Sequence, residues 1–277
     1  MRIGTFLHHF DMIPSERGIS FSEAAKKVIS FGIENICLGL DDIPDARHLI
    51  DEKGRISSEG FNITDAYGNI NFIRSDDPKR DVDKLIEKAV MMGVERLQIT
   101  TDPYTDIKNQ SLRNNEIGKV IDTLSYAVPA ASSSGIQIVI EDYDVSDGPF
   151  SHSSDLRKIL DSVDGLLFTF DSGNFVFADE NEVKALELLK DKVGNLHFKD
   201  RKRINGNAPY WKKFTSLGGM EYDCCPVGSG DIDFASVSGI IREIGYDGMI
   251  ILEHFDARDQ LSYLESSAAF TKKLFGI

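Results

Sequence analysis

The sequence predicts an α/β fold, a (β/α)8 TIM barrel formed as a single domain by residues 1–277. Eight short apolar runs alternate with amphipathic, helix-like stretches at intervals of about 30 residues. Such alternation predicts parallel strands joined by right-handed crossovers, and eight repeats allow the sheet to close. A chain of 277 residues has the length of one such barrel.

The eight predicted strands are runs of about five mostly apolar residues, the length expected of buried parallel strands. They are residues 3–7, 35–40, 61–65, 96–100, 136–141, 166–171, 195–199 and 249–253.

The predicted helices carry apolar residues at helical spacing. They cover residues 21–31, 81–92, 115–134, 154–163, 180–190, 234–244 and 262–275. Ser20 and Glu23 have the spacing of a capping box at the start of the first of these helices. Pro129 lies inside the third and predicts a kink or a break there.

An open, doubly wound sheet is the alternative arrangement of the same elements. It is disfavoured because no glycine-rich turn follows the first strand, where a dinucleotide site would need one. Polar residues instead follow several strands, which is the face where barrel active sites are built.

Composition and charge exclude several classes of function. The formal net charge of −14 disfavours binding to nucleic acid and to anionic membranes. No apolar run approaches the roughly 20 residues that span a bilayer. The N-terminus has no signal-peptide pattern, so a cytoplasmic location is expected. The three cysteines, Cys37, Cys224 and Cys225, do not suggest a disulfide framework.

The longest segment predicted to be irregular covers residues 201–231. It contains the only tryptophan, Trp211. It also contains five basic residues in an otherwise acidic chain: Arg201, Lys202, Arg203, Lys212 and Lys213. Two interpretations stand side by side: a solvated basic loop, or a flap that closes over the site and grips an anionic or hydroxylated substrate.

Four apolar runs end in side chains that can bind a metal: Glu141, Asp171, His197 and Glu253. A buried strand does not end in a bare carboxylate or imidazole unless something satisfies that group. Each residue alone could belong to a buried ion pair or a helix cap. Together, at the ends of four strands, they predict one divalent ion that accepts oxygen and nitrogen ligands: Mn, Mg, Co or Zn.

Several motifs resemble a known family. They are Asp-Ser-Gly-Asn at 171–174, His-Phe-Lys-Asp at 197–200, Val-Gly-Ser-Gly-Asp-Ile-Asp-Phe at 227–234, and Gly-Tyr-Asp-Gly at 245–248 leading into Glu253. With these motifs the chain resembles the xylose isomerase-like superfamily, in its branch of sugar and sugar-phosphate isomerases and epimerases. The resemblance implies a (β/α)8 barrel in which Glu141, Asp171, His197 and Glu253 ligate one divalent metal.

The resemblance also implies an activity. An isomerase or epimerase of this family moves a proton on a sugar or sugar-like hydroxy-ketone through a metal-stabilised enediolate. Glu141 and Glu253 would act as the acid and base, and Lys199 would stabilise the oxyanion or hold a hydroxyl. Four further residues are candidates for binding the substrate: Asn174, His8, Asp65 and Trp211. His254 is expected to be a packing residue, because it alternates to the other face of its strand.

The chain departs from the family pattern at Asn174, where many members carry histidine, and at Asp142 and Tyr143, where many carry Asn-His. Asp41 also stands where many members end the second strand with glutamate. The alternatives are therefore an inosose-type dehydratase of a cyclic polyol ketone, or a non-catalytic barrel that binds a metal or a sugar.

The same family includes DNA-repair endonucleases that use three zinc ions. Those enzymes need more histidines than the six present here, and the acidic charge disfavours a nucleic-acid partner. The expected partner is a small carbohydrate. A homo-oligomer is compatible with the resemblance, because barrels of this family often pair.

Overall fold

A computed structural model describes residues 1–41, 43–144, 147–206 and 209–277. Eight parallel strands form a closed barrel in the order β1-β11-β7-β6-β5-β4-β3-β2. They are β1 Arg2–Phe6, β2 Asn35–Gly39, β3 Asn62–Asn69, β4 Arg96–Thr100, β5 Gln137–Glu141, β6 Leu167–Asp171, β7 Val193–Phe198 and β11 Met249–Leu252. The prediction of a single-domain (β/α)8 barrel is confirmed.

Nine α-helices lie within the described ranges and surround the barrel. They are α1 Leu7–Arg17, α2 Phe21–Ser30, α3 Ala46–Ser58, α4 Pro78–Met92, α5 Gln110–Ser132, α6 Ser153–Ser162, α7 Glu182–Leu189, α8 Phe234–Glu243 and α9 Gln260–Phe275. Seven of them match the predicted helices, including the capping box at Ser20 and Glu23. The expected break at Pro129 is absent, because α5 continues through it to Ser132. None of these helices is both long and apolar enough to cross a membrane.

Two helices were not predicted from the sequence. The first, α1, begins directly after β1 and contains Pro14, and its apolar residues do not form a one-sided stripe. The second, α3, begins after its N-cap Asp45 and buries only Leu49 and Ile56. A helix with so few buried apolar residues gives a weak periodic signal.

The prediction of an irregular segment at residues 201–231 is wrong. That segment contributes to a three-stranded antiparallel sheet in the order β8-β10-β9, made of β8 Asp200–Arg203, β9 Lys213–Thr215 and β10 Glu221–Cys225. Strands of three to five residues with exposed, charged side chains lack the apolar alternation on which prediction depends.

Successive residues of the barrel strands point alternately to the helices and to the barrel interior. In β7, Leu196 and Phe198 join the large apolar core under the helices, whereas Asn195 and His197 point inward. The interior therefore carries a mixture of polar residues and a small apolar cluster that includes Cys37 and Ile251. This alternation directs the side chains at the carboxyl ends of several strands towards one place.

Candidate metal centre

Four side chains meet at the carboxyl ends of the barrel strands. Glu141 and Asp171 are the last residues of β5 and β6, His197 is the penultimate residue of β7, and Glu253 directly follows β11. All four are buried. One ligand atom from each lies within 4.8 Å of the ligand atoms of the other three. The structure thus brings together the four residues that the sequence singled out as metal ligands.

The polar atoms of this cluster are poorly satisfied by protein neighbours. Among the described residues, Glu141 Oε1, Asp171 Oδ2 and both ring nitrogens of His197 have no hydrogen-bond partner. His197 Nδ1 closely approaches Glu141 and lies 3.5 Å from Glu253 Oε2 without hydrogen-bond geometry. Buried polar groups without partners are costly. Three carboxylates and one imidazole therefore fit a divalent cation that accepts oxygen and nitrogen ligands.

The charges of the cluster perturb its pKa values strongly. Burial, together with the charges of Glu253 and Glu141, raises the pKa of Asp171 to about 8. Burial lowers the pKa of His197, but the carboxylates of Glu141 and Glu253 outweigh it and raise that pKa to about 10. A bound divalent ion would compete with protons for these carboxylates and this imidazole.

Lys199 neutralises part of this negative charge. Its ammonium group lies 2.5 Å from Glu253 Oε1 and 3.5 Å from Asp171 Oδ2, and donates a hydrogen bond of 2.9 Å to Asn174 Oδ1. Burial lowers the pKa of Lys199, but Asp171 and Glu253 outweigh burial and raise it. The same ammonium helps to hold the pKa of Glu253 below its usual range against the effect of burial.

Gly173 allows the chain after β6 to pass close to Lys199. A Cβ atom at Gly173 would lie 2.9 Å from both the carbonyl oxygen and the Cγ of Lys199. Asn174 follows at once, and its side-chain amide donates to the carbonyl oxygen of Asp142 at 2.8 Å. This explains why the Asp-Ser-Gly-Asn motif has glycine at its third position.

Two residues that the sequence did not assign to the site also contact it. Gln98 on β4 donates from Nε2 to Glu141 Oε2 at 2.5 Å. Asp142 is buried and accepts the backbone N–H of Asp171 at 2.9 Å. Burial and the nearby Asp171 and Glu141 raise the pKa of Asp142. The signal for Gln98 was its polar side chain between two apolar residues of a predicted strand.

A cavity of about 290 Å³ opens next to the cluster. Its walls combine acidic, aromatic and polar side chains with a single basic one. The lining residues are Phe6, Asp41, Tyr67, Gln98, Thr100, Glu141, Tyr143, Asp144, Asn174, Lys199, Glu253 and Phe255.

The four predicted substrate-binding residues differ in where they lie relative to the cavity. Asn174 lines the cavity, as does the proposed catalytic Lys199. His8 lies on α1 rather than at a strand end, and its ring packs 5.5 Å from that of Phe6 and 4.9 Å from that of Phe255. His8 therefore supports two residues of the cavity wall, and burial lowers its pKa.

Asp65 does not lie at the end of its strand, because β3 continues to Asn69. Its carboxylate pairs with Arg96, at 2.6 Å from Nε and 3.1 Å from a terminal nitrogen. Two residues further along, Tyr67 lines the cavity. The structure therefore corrects the placement of Asp65 at the substrate: it belongs to an ion pair inside the barrel.

Trp211 also lies away from the described cavity wall. Its side chain is 57% exposed, and its backbone N–H donates to Asp223 at 2.9 Å. Its ring lies 5.7 Å from the guanidinium carbon of Arg258. The structure thus places Trp211 on the surface, just before β9 of the three-stranded sheet β8-β10-β9 (the inserted sheet), rather than at the cavity wall.

Three of the five basic residues of this segment contact other side chains: Arg201, Lys212 and Lys213. Arg201 is fully buried, with its guanidinium carbon 5.1 Å from the ring centre of Phe177 and 4.4 Å from that of Phe214. Lys212 forms an ion pair with Asp256. Lys213 forms one of 2.7 Å with Glu221. Of the five basic residues only Arg201 is buried, and the other four are exposed on a segment that is a small sheet rather than a loop.

Asp200 holds the turn that contains Gly228 and Gly230, and a Cβ atom at Gly230 would lie 2.7 Å from its carboxylate carbon. Its carboxylate accepts backbone N–H groups from Gly228 at 2.9 Å, from Gly230 at 2.8 Å and from Ile232 at 3.3 Å. His254 is fully buried and lies 2.8 Å from Ser267 Oγ through its Nε2, which agrees with its expected packing role.

Fold and site together define a (β/α)8 barrel with a candidate divalent-metal centre at the carboxyl ends of its strands. A family model described as a xylose isomerase-like TIM barrel matches residues 24–274. The chain therefore belongs to this family, as its motifs predicted.

Individual relatives are more distant. An inosose dehydratase from Lacticaseibacillus casei is 28% identical over 120 residues, which is 43% of this chain and 40% of that protein. A putative L-ribulose-5-phosphate 3-epimerase, SgbU, from Haemophilus influenzae is 24% identical over 187 residues, covering 66% of this chain and 60% of that protein. The matches thus span 40% and 60% of these relatives' own lengths, which is less than two thirds in both cases.

Solved structures share the fold over the whole chain. The IolI protein, whose structure holds a zinc atom, superposes with a TM-score of 0.72 at 15% identity and covers 100% of this chain and 98% of its own. A D-allulose 3-epimerase from Methylomonas sp. superposes with a TM-score of 0.71 at 15% identity and covers 99% of this chain and 98% of its own. At this identity the likeness establishes the fold alone.

Proposed function

We propose that the protein is a divalent-metal-dependent isomerase or epimerase that acts on a sugar or sugar-like hydroxy-ketone. The observation that carries this proposal is the convergence of Glu141, Asp171, His197 and Glu253, whose ligand atoms lie within 4.8 Å of one another beside the cavity. Relatives named as sugar epimerases and an inosose dehydratase support the same class of chemistry.

The donor set fits Mn, Mg, Co or Zn. When bound, such an ion supplies Lewis-acid stabilisation of the charge that develops when a carbon next to a ketone loses its proton. Asp171 and His197 are fully buried and are not among the described residues that line the cavity, so we propose that they act only as metal ligands.

Glu141 and Glu253 are the proposed proton carriers. Both line the cavity, and they project from strands that are separated by β6 and β7 in the barrel order. Gln98 anchors one oxygen of Glu141, and Lys199 anchors one oxygen of Glu253. In our proposal one carboxylate removes the proton from one face of the substrate carbon, and the other returns a proton to the opposite face.

Lys199 and Asn174 complete the proposed site. Both line the cavity and are joined by a hydrogen bond of 2.9 Å. The ammonium can stabilise a developing oxyanion, and the amide can hold a substrate hydroxyl. His8 supports Phe6 and Phe255 from behind, so we propose that it shapes the cavity.

A dehydratase of a cyclic polyol ketone is the second candidate. The matches to proteins named inosose dehydratase favour it, and the same proton abstraction would precede the loss of a hydroxyl. Mass spectrometry of the product separates the two, because dehydration removes one water. Binding of a ketone without any proton exchange would instead support a non-catalytic barrel.

The test combines Glu141→Gln and Glu253→Gln with metal analysis and solvent deuterium exchange into candidate ketoses. Each variant is expected to slow exchange by about 100-fold or more, because general acid–base groups contribute about 10²–10⁴. Glu34→Gln, at an exposed glutamate, serves as the matched control. Full metal content and full exchange activity in both variants would show that ligand and base are wrongly assigned.

A further inference from the structure

We propose that the cavity selects an uncharged polyol ketone over phosphorylated or carboxylated analogues, with Asp41 and Asp144 as specificity-determining residues. This inference rests on the proposed function and narrows the substrate class of the same site. The names of the relatives pair an inosose dehydratase with an L-ribulose-5-phosphate epimerase, so family membership leaves the charge of the substrate open.

The cavity offers almost no positive charge to an anionic substrate. Lys199 is the single Lys, Arg or His among its described lining residues. Its ammonium is already engaged by Glu253, Asp171 and Asn174. None of the residues outside the described ranges is basic: they are Asp42, Val145, Ser146, Asn207 and Ala208. Phosphate recognition in proteins usually relies on Arg, Lys or clustered backbone N–H groups.

Two acidic residues that are not candidate ligands add negative charge to the wall. Asp41 is anchored by the backbone N–H of Asn69, at 2.8 Å from its Oδ2. The charge of Asp144 reaches the site, since it contributes to the raised pKa of Lys199 and of Tyr143. Both carboxylates line the cavity.

The overall balance stays negative when a metal is bound. A divalent ion, Lys199 and the buried Arg201, whose charge also acts on Lys199, bring four positive charges. Five carboxylates oppose them: Asp41, Glu141, Asp144, Asp171 and Glu253. An added phosphate or carboxylate would face this excess at short range, in a chain whose net charge is already −14.

Lys212, which directly precedes β9 of the inserted sheet, is balanced by an acid. Lys212 pairs with Asp256, which directly follows the lining residue Phe255. Arg201 is buried between two phenylalanine rings and has no exposed surface. Neither side chain is among the described residues that line the cavity.

The same walls suit an uncharged polyol. Carboxylates are strong acceptors for substrate hydroxyl groups, and such bonds to charged acceptors are stronger than neutral ones. Four aromatic residues supply apolar surface for the carbon faces of the substrate: Phe6, Tyr67, Tyr143 and Phe255.

The experiment measures binding to the Mn²⁺-loaded protein by calorimetry. The probes are ribulose against ribulose 5-phosphate, fructose against fructose 6-phosphate, and scyllo-inosose. Like charges about 6 Å apart at an effective dielectric of about 20 repel enough to weaken binding at least tenfold. We therefore expect each phosphate ester to bind at least about tenfold more weakly than its uncharged partner.

Three variants test which side chains weaken the binding of the phosphate esters. Asp41→Asn and Asp144→Asn keep the shape of the wall and remove one charge each. Each should lower the ratio of the dissociation constant of a phosphate ester to that of its uncharged partner by about threefold or more. Lys212→Gln should leave their ratio unchanged. A ratio that is unaffected by both asparagine variants, or one that depends on Lys212, overturns the assignment.

Failure of the charge-selection proposal can be distinguished from failure of the isomerase proposal. Equal or tighter binding of the phosphate esters overturns the charge selection, whether or not turnover occurs. Failure of every uncharged probe to bind also overturns it. Binding of an uncharged ketone without solvent deuterium exchange contradicts the isomerase proposal but leaves the charge selection standing.

Discussion

Replacing Lys199 by methionine tests how the buried charges of the site are balanced. Lys199 is 2% exposed, and its ammonium lies 2.5 Å from Glu253 Oε1. At that distance and an effective dielectric of about 20, their attraction is about 7 kcal/mol before the cost of desolvation. Loss of one partner from a buried ion pair typically costs about 3–5 kcal/mol. We expect the metal-free variant to lose about 4 kcal/mol of unfolding free energy.

A bound divalent ion should reduce this loss, because its two charges balance the carboxylates that Lys199 leaves behind. We expect the Mn²⁺-bound variant to lose about 2 kcal/mol. By thermodynamic linkage, the difference of about 2 kcal/mol makes Mn²⁺ bind the variant about 30-fold more tightly than the wild type. Exchange activity should nevertheless fall by about 100-fold, because the oxyanion loses a cationic partner.

Urea unfolding with and without Mn²⁺, calorimetric metal titration and solvent deuterium exchange measure these effects. Lys202→Met, at the exposed lysine of β8, is the matched control and should change stability by less than about 0.5 kcal/mol. A metal-free Lys199→Met protein as stable as the wild type, with unchanged Mn²⁺ affinity, would refute the role of Lys199 as a charge partner.

Three further predictions concern backbone packing and protonation. Gly173→Ala should destabilise the fold by about 1–3 kcal/mol in urea unfolding, because its Cβ would lie 2.9 Å from Lys199; unchanged stability contradicts this. The apparent Mn²⁺ affinity should rise from pH 6 to pH 8, because the pKa values of Asp171 and His197 are raised to about 8 and about 10 and the ion must displace protons from them. Calorimetry in buffers of different ionisation enthalpy measures the protons released. Binding that does not depend on pH would contradict this. The pKa of His152 is raised chiefly by its hydrogen bond with Glu180, and the pKa of Glu180 is lowered, so this pair stabilises the fold most from about pH 5 to pH 6.5 and loses its effect as pH rises through the raised pKa of His152. His152→Gln should therefore lower the free energy of unfolding by about 0.5 kcal/mol at pH 6 and leave it unchanged at pH 9. An equal loss at both pH values would contradict this.

The barrel and its candidate ligands were predictable because both depend on a strong local pattern. Each of Glu141, Asp171, His197 and Glu253 ends an apolar run, and parallel strands bring their carboxyl ends to one face. Gln98 follows the same alternation but was not identified from the sequence, because a single glutamine in a strand has many explanations.

The errors arose where the pattern was weak or continued further than expected. Strand β3 continues to Asn69 beyond the predicted end at residue 65, so Asp65 lies inside the strand, four residues before its end. Helices α1 and α3 bury few apolar residues. The position of Trp211 depends on the pairing of β9 with β10, which is a tertiary contact that no local signal encodes.

The most direct test of the central claim is a crystal structure of the protein soaked in Mn²⁺, with anomalous diffraction recorded at the manganese edge. We expect a single strong peak at the carboxyl ends of the strands, about 2.0–2.3 Å from oxygens of Glu141, Asp171 and Glu253 and from a ring nitrogen of His197. No peak within about 3 Å of these four side chains, under conditions that load manganese elsewhere on the protein, would contradict it.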